Sequence, residues 1–577
     1  MRHSDKTGRN GGFPHTAVIL MWLLPLLLIV PNIGLDITET NYSIPARLAN
    51  ILLPAGLYTL ISAWGTRIGR KILFFIPLMV LCAFQIVLLF LYGESIIAVD
   101  MFLNVATTNY HEATELLRNL GHAIATVLFL YLPLIGSGIW AEVRGARIPE
   151  RALVIGRRTG LALTTLGLAA FGLAFTAGNG YRPTRELFPL NVVCNMFEAA
   201  DRSAVTKNYP EKSASFRHHA IAKDEGIPAD SAQIIVVIVG ETSRSNHWGL
   251  GGYNRPTTPL LSARNNLVFY RKTLSESNTT HKSVPLLLSH LPAAGFNDSI
   301  YSTGCIVDAF KEADYRTAWI SNQAHNRSLI DYYSARADVC DYICDDPKAK
   351  APEYDTELAP RVEKFIAGQP VDTRLFIVVH TYGSHFNYKE RYPESDARFL
   401  PDNSAEASRD NREDLVNAYD NSILATDKAI DSILSVLERS GRPAVAVYAS
   451  DHGEDIFDDD RERFLHASPC PTYYQIHVPM FVWVSGSYAT LYPSECRTLE
   501  ANREKNVSSS ESLFHTTVAL AHLAMPALKP ELSLCSRSYK EPTRRYLNDY
   551  NESVPLLESG LKKEDIRILD RLRISKN

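Results

Sequence analysis

The chain has no concentrated stretch of basic residues. Its 59 Lys and Arg residues are balanced by 63 Asp and Glu residues, which gives the 577-residue chain a formal net charge of −4. Without a basic stripe there is no reason to expect a nucleic acid as partner. The sequence also shows no internal repeat, so a repeat architecture is not indicated. What it does contain is an apolar N-terminal third followed by a polar remainder.

Five stretches of the N-terminal third are long and apolar enough to cross a bilayer. They cover roughly residues 16–32, 45–64, 72–92, 121–141 and 156–177. The first is short enough to resemble a signal peptide, but no small-residue cleavage site follows it. The sequence therefore predicts an N-terminal α-helical membrane domain of five transmembrane helices, residues 1–178.

The loops between these stretches alternate in charge, which predicts their side of the membrane. The N-terminal segment, the second loop and the fourth loop are rich in Lys and Arg, whereas the first and third loops carry mainly Asp and Glu. Positively charged loops stay in the cytoplasm. Five spans then place everything after about residue 178 on the far side. For a chain of this type, that side is the periplasm or the exterior.

Cysteine is scarce, with eight residues in the whole chain. Seven of them lie in the part predicted to be exported, where disulfides persist. Seven is an odd number, so at least one thiol is unpaired or bonds another chain. Cys340 and Cys344 are close enough in sequence to pair locally. A zinc site built on their Cys-x3-Cys spacing is disfavoured in an oxidising compartment.

The remainder of the chain divides into a linker and an α/β domain. Residues 179–230 are mixed and charged, and they predict a linker with interfacial helices. From residue 231 to 577, β-branched apolar runs alternate with helical patterns, which predicts a mostly parallel sheet covered on both faces. The tail after about residue 540 is polar and charged, with no visible chemistry.

Two of the predicted strands stop abruptly on possible metal ligands. The run QIIVVIVG is followed by Glu241, and the run AVAVYAS is followed by Asp451 and His452. In an open α/β sheet, ligands gather outside the carboxyl ends of the strands. The two strand ends therefore predict two halves of one metal site, in an enzyme that acts on phosphate or sulfate esters.

A hydroxyl-rich segment supplies candidate nucleophiles. Thr279, Thr280 and Ser283 precede an apolar helical run, so they lie at a predicted helix N-terminus. The free N–H groups and the positive dipole end at such a position attract a phosphate group. The competing interpretation is an ordinary N-cap, which Thr and Ser often provide. The segment by itself does not choose among the three hydroxyls.

Three histidines follow predicted strands of the same sheet. His380 ends the strand RLFIVVH, His385 lies in the loop after it, and His466 lies in a polar loop further along. A single loop histidine is usually a solvated residue. Three that converge can serve a phosphoryl group as general acid or as ligands of a second metal ion.

In these residues the chain resembles the phosphoethanolamine transferases of the alkaline phosphatase/sulfatase superfamily. The resemblance extends over nearly its whole length. The periplasmic segment 102–117, with Asn109 and Glu112, resembles that family's lipid-facing loop. The other motifs that carry the resemblance are Gly240–Arg244, Gly252–Arg255, Thr257–Pro259, Thr280 four residues before Val284-Pro285, Trp319–Gln323, His380 with Gly383–His385, Arg391–Pro393, Ser450–Glu454 and His466–Pro469.

The resemblance implies a zinc-dependent enzyme with a phosphothreonine intermediate. Glu241, Asp451, His452 and the Thr280 hydroxyl would hold a Zn²⁺ ion, which lowers the pKa of that hydroxyl. Thr280 would take phosphoethanolamine from phosphatidylethanolamine, leaving diacylglycerol, and pass it to an acceptor.

The remaining implied roles concern substrate binding. His385 and His466 would bind phosphoryl oxygens or a second zinc ion, with His380 nearby. Asn109 and Glu112, together with Glu115, would face the ethanolamine head group, where a carboxylate suits an ammonium ion.

The sequence departs from the lipid A-modifying members of this family. Their disulfide around the nucleophile is absent, because Glu276 and Leu286 occupy the two positions. The chain is closer to members that modify the lipopolysaccharide core or other glycans, so the expected acceptor is a core sugar or lipid A of lipopolysaccharide. The alternatives are a phosphoglycerol transferase and a sulfatase-like phosphoester hydrolase. The second is disfavoured because no Cys/Ser-x-Pro-x-Arg sequence is visible. A non-enzymatic receptor would not need Glu241, Asp451 and His452 at strand ends.

Overall fold

The computed structural model describes residues 13–38, 42–93, 96–107, 114, 120–176, 181–223, 232–297, 299–346, 353–403 and 407–577. The chain divides into two compact units. A helical unit comprises residues 1–102 and 120–199, and a sheet unit comprises residues 103–119 and 200–577. The predicted boundaries at residues 178 and 230 stay a prediction.

The first ten helices include those of the helical unit. Two of them, α6 and α10, have residues in both units. The ten are α1 (Pro14–Leu28), α2 (Val30–Thr38), α3 (Ile44–Ser62), α4 (Ile68–Phe74), α5 (Ile76–Tyr92), α6 (Val99–Thr107), α7 (Gly121–Val143), α8 (Glu150–Thr176), α9 (Pro183–Glu186) and α10 (Leu190–Lys207).

Four helical stretches among the described residues are long and apolar enough to cross a membrane: Pro14–Thr38, α3, α7 and α8. The predicted third span is broken into α4 and α5, which meet at a bend of 51° and count as a fifth span only when taken together. Pro77 lies in the first turn of α5. It explains the break, because proline lacks an N–H group and its ring clashes with the carbonyl four residues earlier.

Helices α3 and α8 approach each other closely because glycine stands where their backbones meet. A Cβ atom at Gly56 would lie 2.5 Å from the backbone nitrogen of Thr164, and one at Gly160 would lie 2.8 Å from that of Leu60. Small residues at such contacts are typical of membrane helices, whose association has no hydrophobic driving force.

The sheet unit is built around a seven-stranded sheet with the order β3-β11-β8-β2-β7-β5-β6. The strands of the unit are β1 (Ile221–Ala222), β2 (Ile234–Gly240), β3 (Leu267–Phe269), β4 (Thr273–Leu274), β5 (Arg316–Ser321), β6 (Val339–Tyr342), β7 (Leu375–His380), β8 (Ala444–Ser450), β9 (Asp455–Ile456), β10 (Phe464–Leu465), β11 (Met480–Val484), β12 (Val507–Ser508), β13 (Leu523–Ala524), β14 (Arg545–Leu547) and β15 (Ser553–Pro555).

Helices cover the sheet between these strands. They are α11 (Tyr209–Lys212), α12 (Pro259–Ser262), α13 (Thr280–Leu287), α14 (Ile306–Glu312), α15 (Leu329–Ser334), α16 (Leu358–Ala367), α17 (Arg412–Arg439), α18 (Tyr473–Ile476), α19 (Gly486–Leu491), α20 (Pro493–Ala501), α21 (Ser509–Leu520) and α22 (Lys563–Arg571).

The sheet is mostly parallel, as the alternation of strand and helix patterns predicts. Strands β8, β2, β7, β5 and β6 pair in parallel along the sheet. Strand β11 runs antiparallel to both β8 and β3, so among the seven strands it alone points the other way. All seven residues of β2 are buried between β7 and β8. Burial on both faces and both edges explains why this segment is a continuous run of Ile and Val.

The C-terminal segment, residues 541–577, packs against the rest of the sheet unit. Strands β14 and β15 form an antiparallel hairpin, and α22 follows them. Asp565 of α22 accepts two hydrogen bonds from the guanidinium of Arg461 and one from the backbone N–H of Tyr473.

All eight cysteines are free thiols in the structure. Cys340 and Cys344 are exposed and unpaired with each other, so the local disulfide that their spacing allows is not formed.

Candidate metal centre and active site

The two predicted halves of the metal site meet at the carboxyl edge of the sheet. Gly240 of β2 pairs directly with Ser450 of β8, so the residues that follow them are neighbours. Ligand atoms of Glu241, Asp451 and His452 lie within 4.8 Å of one another, and all three side chains are buried. The parallel register of two adjacent strands thus brings together residues that are far apart in sequence.

The hydroxyl of Thr280 joins this cluster. Thr280 is the first residue of α13, and its Oγ1 lies 3.0 Å from Nε2 of His452 and 3.4 Å from Oε1 of Glu241. The other two candidate hydroxyls are engaged differently. Thr279 Oγ1 lies 3.2 Å from Ser277 Oγ, and the Ser283 hydroxyl donates to the carbonyl of Thr279 at 2.9 Å.

Backbone and side-chain groups hold the two carboxylates. Asp451 Oδ1 accepts from the backbone N–H of His452 at 2.7 Å and from that of Thr242 at 3.2 Å. The hydroxyl of Thr242 donates to Glu241 Oε1 at 2.7 Å. Thr242 has a φ of 57°, a left-handed conformation that a β-branched residue adopts only under constraint, often at functional sites.

Gln323 anchors the other oxygen of Glu241. Its Nε2 donates to Glu241 Oε2 at 3.2 Å and to the carbonyl of Thr381 at 3.1 Å. The amide therefore ties the Glu241 carboxylate to the end of β7. The motif Trp319–Gln323 was visible in the sequence, but its spacing alone gave no sign of this contact.

The electrostatics of the cluster favour a bound cation. Burial raises the pKa of Asp451 and lowers the pKa of His452 to about 3, so the imidazole is neutral. Nδ1 of His452 lies 3.0 Å from the carbonyl of Gly453, which can only accept a hydrogen bond, so this nitrogen carries the proton. Nε2 then presents a lone pair at 3.2 Å from Asp451 Oδ2 and 3.5 Å from Glu241 Oε1. Buried acceptors that face one another are stabilised by a cation between them.

The donor set fits zinc. Carboxylate oxygens, a neutral imidazole nitrogen and a hydroxyl oxygen are ligands that catalytic zinc sites use, commonly in a tetrahedral arrangement with one exchangeable position. Glu241, Asp451 and His452 would hold the ion, and Thr280 stands where a reacting ligand would be.

Two of the three predicted histidines lie beside this cluster. The ring of His466 lies against that of His452 at a tilt of 33°, with centroids 4.1 Å apart, and the ring of His385 lies 6.2 Å from that of His466. Nδ1 of His385 is 2.7 Å from the carbonyl of Phe386, so this nitrogen carries a proton. His380 is buried at the end of β7, where its ring packs edge-on against Trp319.

Asp355, which the sequence did not single out, shapes the loop that carries His385. Its carboxylate accepts from the backbone N–H groups of Tyr382 and Gly383 at 2.9 and 2.8 Å, and from Asn322 Nδ2 at 2.8 Å. Gly383 has a φ of 55°, and a Cβ atom there would lie 2.5 Å from the carbonyl oxygen of Glu241. Only glycine fits this turn.

A second buried carboxylate lies behind His466. Glu454 Oε1 accepts from the Tyr388 hydroxyl at 2.8 Å, and its Oε2 lies 3.7 Å from Nδ1 of His466. Burial raises the pKa of Glu454 to about 8.

The remaining predicted site residues, Asn109, Glu112 and Glu115, lie outside the described residues.

Comparison with known families points to one superfamily. A family model described as Sulfatase matches residues 233–523, which run from the start of β2 to β13. Among curated proteins, phosphoethanolamine transferase EptC from Escherichia coli (strain K12) is 28% identical over 342 residues, which cover 57% of this chain and 58% of that protein. The Kdo(2)-lipid A phosphoethanolamine 7''-transferase of the same strain is 28% identical over 383 residues, 64% of this chain and 62% of that protein. Each match thus spans less than two thirds of the relative's length.

Solved structures give the same picture for the fold. The C-terminal periplasmic domain of EptC from Escherichia coli in complex with Zn superposes with a TM-score of 0.52 at 26% identity, covering 58% of this chain and 95% of that chain. The integral membrane protein lipooligosaccharide phosphoethanolamine transferase A (EptA) from Neisseria meningitidis superposes with a TM-score of 0.69 at 21% identity, covering 91% and 99%. The predicted fold class, apolar N-terminal helices followed by a sulfatase-like α/β domain, is confirmed.

Proposed function

This chain belongs to the sulfatase family, and we propose that it is a zinc-dependent phosphoethanolamine transferase. It takes phosphoethanolamine from phosphatidylethanolamine and passes it to lipopolysaccharide, on a core sugar or on lipid A, through a phosphothreonine intermediate at Thr280. The curated relatives named above carry phosphoethanolamine transferase names, which supports this reaction class.

The observation that carries the proposal is the position of the Thr280 hydroxyl. It lies 3.0 Å from His452 Nε2, inside a set of buried ligands that a cation stabilises. Glu241, Asp451, His452 and Thr280 are the proposed zinc ligands. The Escherichia coli EptC domain was solved with Zn, which supports zinc over other divalent ions.

The first half of the reaction moves the phosphoryl group onto Thr280. Bound zinc lowers the pKa of a coordinated hydroxyl and neutralises charge on a phosphoryl oxygen. The Thr280 hydroxyl loses its proton, Oγ1 forms a bond to phosphorus, and the bond between phosphorus and the glycerol oxygen breaks. Diacylglycerol leaves with a proton on that oxygen. His385 and His466 bind the phosphoryl oxygens during this displacement, with His380 nearby.

The second half reverses these roles. A hydroxyl of the acceptor loses its proton and attacks phosphorus, and the bond to Thr280 Oγ1 breaks. The hydroxyl of Thr280 regains a proton. The start of α13 supports both halves, because the positive end of a helix dipole stabilises negative charge on the phosphoryl group.

The donor's location sets the remaining assignments. The described residues include four or five candidate spans, so this is a membrane protein. Most of its sheet unit follows the spans in the sequence. We place it in the bacterial inner membrane with the catalytic part, residues 231–577, in the periplasm, after a transmembrane domain (1–178) and a linker with interfacial helices (179–230). Asn109, Glu112 and Glu115 are proposed to face the ethanolamine ammonium group.

The test uses the full chain in vesicles of phosphatidylethanolamine, without acceptor. We expect a covalent phosphoethanolamine group on Thr280 by peptide mapping, its loss in Thr280→Ala, and its retention in Thr279→Ala. Vesicles of phosphatidylglycerol serve as the matched donor. An adduct from phosphatidylglycerol alone would identify a phosphoglycerol transferase. Steady release of the head group to water, without an adduct, would identify a sulfatase-like hydrolase. A modified Ser283 or Thr242 would overturn the choice of nucleophile.

A further inference from the structure

The C-terminal segment, residues 541–577, reaches the loop that carries Thr280. Its apolar side chains form a small core with Leu274, directly before that loop. The members of this core are Leu274, Tyr473, Ile476, Tyr546, Leu556, Leu561, Leu569 and Ile574. We define residues 275–282 as the nucleophile loop. The segment and the loop thus share a packed interior.

Three hydrogen bonds fasten the nucleophile loop to the C-terminal segment on both sides of Thr280. Before Thr280, the backbone N–H of Leu547 donates to the carbonyl of Glu276 at 2.7 Å, and the hydroxyl of Tyr546 donates to Asn278 Oδ1 at 2.7 Å. After it, Lys282 Nζ donates to the carbonyl of Asn548 at 2.7 Å.

Asn278 connects the nucleophile loop to a second loop of the site. Its Nδ2 donates to the carbonyl of Ser468 at 2.8 Å and to Gln475 Oε1 at 2.7 Å, while its own carbonyl accepts from Ala467 at 3.2 Å. The side chain is buried. Since the Tyr546 hydroxyl donates to Oδ1, the amide is held in the orientation that directs Nδ2 at residues 468 and 475.

The two loops joined by Asn278 carry two of the proposed active residues. Thr280 lies two positions after Asn278, and His466 directly precedes Ala467. Both side chains lie against His452, at 3.0 Å from its Nε2 for Thr280 Oγ1 and with ring centroids 4.1 Å apart for His466. The spacing between these loops therefore sets where the nucleophile stands relative to the phosphoryl group.

We propose that Tyr546 is a positioning residue for phosphoryl transfer, which acts through Asn278 to fix the spacing between Thr280 and His466. The inference rests on the proposed function. Tyr546 does not touch the reacting atoms. Small errors in the approach of a nucleophile reduce the rate of transfer strongly. Loss of the buried Tyr546 hydroxyl should therefore lower that rate.

The competing explanation is that Tyr546 only fills its apolar core. The ring alone would do that, whereas the relay needs the hydroxyl. Tyr546→Phe separates the two, because it keeps the ring. Tyr539→Phe is the matched control: its hydroxyl is also buried and hydrogen-bonded, to the carbonyl of Asn506 at 2.8 Å, but none of the hydrogen bonds of the described residues joins it to the nucleophile loop.

The experiment measures the initial rate at which the full chain accumulates the Thr280 adduct, over a range of phosphatidylethanolamine concentrations in vesicles without acceptor. Zinc content and melting temperature are measured on the same preparations. We expect Tyr546→Phe to lower the maximal rate about tenfold, the equivalent of one lost hydrogen bond. Its half-saturating donor concentration and zinc content should equal those of the wild type. Tyr539→Phe should keep the wild-type rate.

Each other outcome overturns the inference. Equal rates in the two variants would show that the hydroxyl has no role in transfer. A higher half-saturating concentration with an unchanged maximal rate would place Tyr546 in donor binding. Loss of zinc, or a melting temperature well below that of Tyr539→Phe, would make it a structural residue. A wild-type chain without any adduct on Thr280 is a different result, because it refutes the proposed function before the variants are compared.

Discussion

Many large apolar side chains of the helical unit are exposed, whereas the central strands of the sheet unit bury theirs. Phe129 and Val143 of α7 are each 79% exposed, whereas Val237 of β2 and Val378 of β7 are fully buried. Buried polar side chains occur in both units. Asn32 is buried in the helical unit, where its Nδ2 donates to the carbonyls of Asn50 and Phe188. The two units therefore differ in where their large apolar side chains lie, and the difference reflects lipid as the surroundings of the helical unit and water as those of the sheet unit.

The difference also teaches what holds each unit together. Lipid tails are as apolar as leucine, so the helices gain little from hiding apolar surface and depend on close contact at small residues such as Gly160. The sheet unit is stabilised by burying strands such as β2. Its buried polar groups at the carboxyl edge are there for a ligand. Four substitutions test this difference between the two units.

The largest expected effect is at the metal centre. Asp451→Asn keeps the size of a fully buried side chain and removes its charge, so we expect zinc affinity to fall by more than about a hundredfold, beyond what loss of an outer partner causes. The matched control is Asp427→Asn. Asp427 is also buried, but it accepts from the backbone of Leu260 and Leu261. Elemental analysis that finds full zinc in the Asp451 variant, or none in the control, would show that the edge is not a dedicated site.

The next effect sharpens the contrast from the helical side. Gly160→Leu places side-chain atoms against the backbone of Leu60 in α3, and we expect it to lower the free energy of unfolding by about 3 kcal/mol. Gly172→Leu is on the same helix with nothing within 4 Å of its Cβ position, so it should be neutral. Thermal unfolding of the full chain in detergent compares them. Equal melting temperatures would mean that close contact between α3 and α8 does not stabilise this unit.

A smaller change is expected from the amide that holds Glu241. Gln323→Leu removes the hydrogen bonds to Glu241 Oε2 and to the Thr381 carbonyl but leaves every proposed ligand in place. Partners of this kind tune metal affinity by about 10–100-fold. Competition with a zinc chelator measures the change, and Gln369→Leu in the turn after α16 serves as control. Unchanged affinity would make Gln323 irrelevant to the metal.

The smallest effect concerns a half-buried histidine away from the site. Burial lowers the pKa of His290 to about 4, compared with about 6.5 in an unfolded chain. Between these values the unfolded chain binds a proton that the folded protein does not, so the free energy of unfolding falls as the pH drops from about 6.5 to about 4. The His290 ring lies beside Phe216 and Phe514. We expect His290→Phe to reduce the change in the free energy of unfolding between about pH 6.5 and about pH 4. Urea titrations of both chains with the same slope in this pH range would contradict the expectation.

The sequence was most informative where local pattern and function coincide. The runs that became β2 and β8 end on Glu241 and Asp451 because strand ends at one edge of a parallel sheet converge, and the structure brings these residues together as predicted. The resemblance to phosphoethanolamine transferases is likewise confirmed by the curated relatives. Both predictions came from short sequence motifs that can be recognised without knowledge of distant contacts.

Other features could not be predicted, because they depend on distant contacts. Residue type and helix position do not distinguish the hydroxyls of Thr279, Thr280 and Ser283, whereas the structure places that of Thr280 against His452 and Glu241. Asn278 and Tyr546 are ordinary polar and aromatic residues until the C-terminal segment folds against the nucleophile loop. The tail after residue 540 therefore had no visible chemistry. The break between α4 and α5 was likewise missed, because hydropathy averages over Pro77.

The position of β2 has a consequence for biogenesis. This strand carries Glu241 at its end and lies between β7 and β8, both of which come much later in the chain. Until they are made, a run of Ile and Val has two open edges, the kind of segment that associates with copies of itself. It is far shorter than the roughly 20 residues of a membrane span, so it cannot be buried by crossing the bilayer. The interval before β7 and β8 arrive is therefore when the newly made chain is most prone to aggregate.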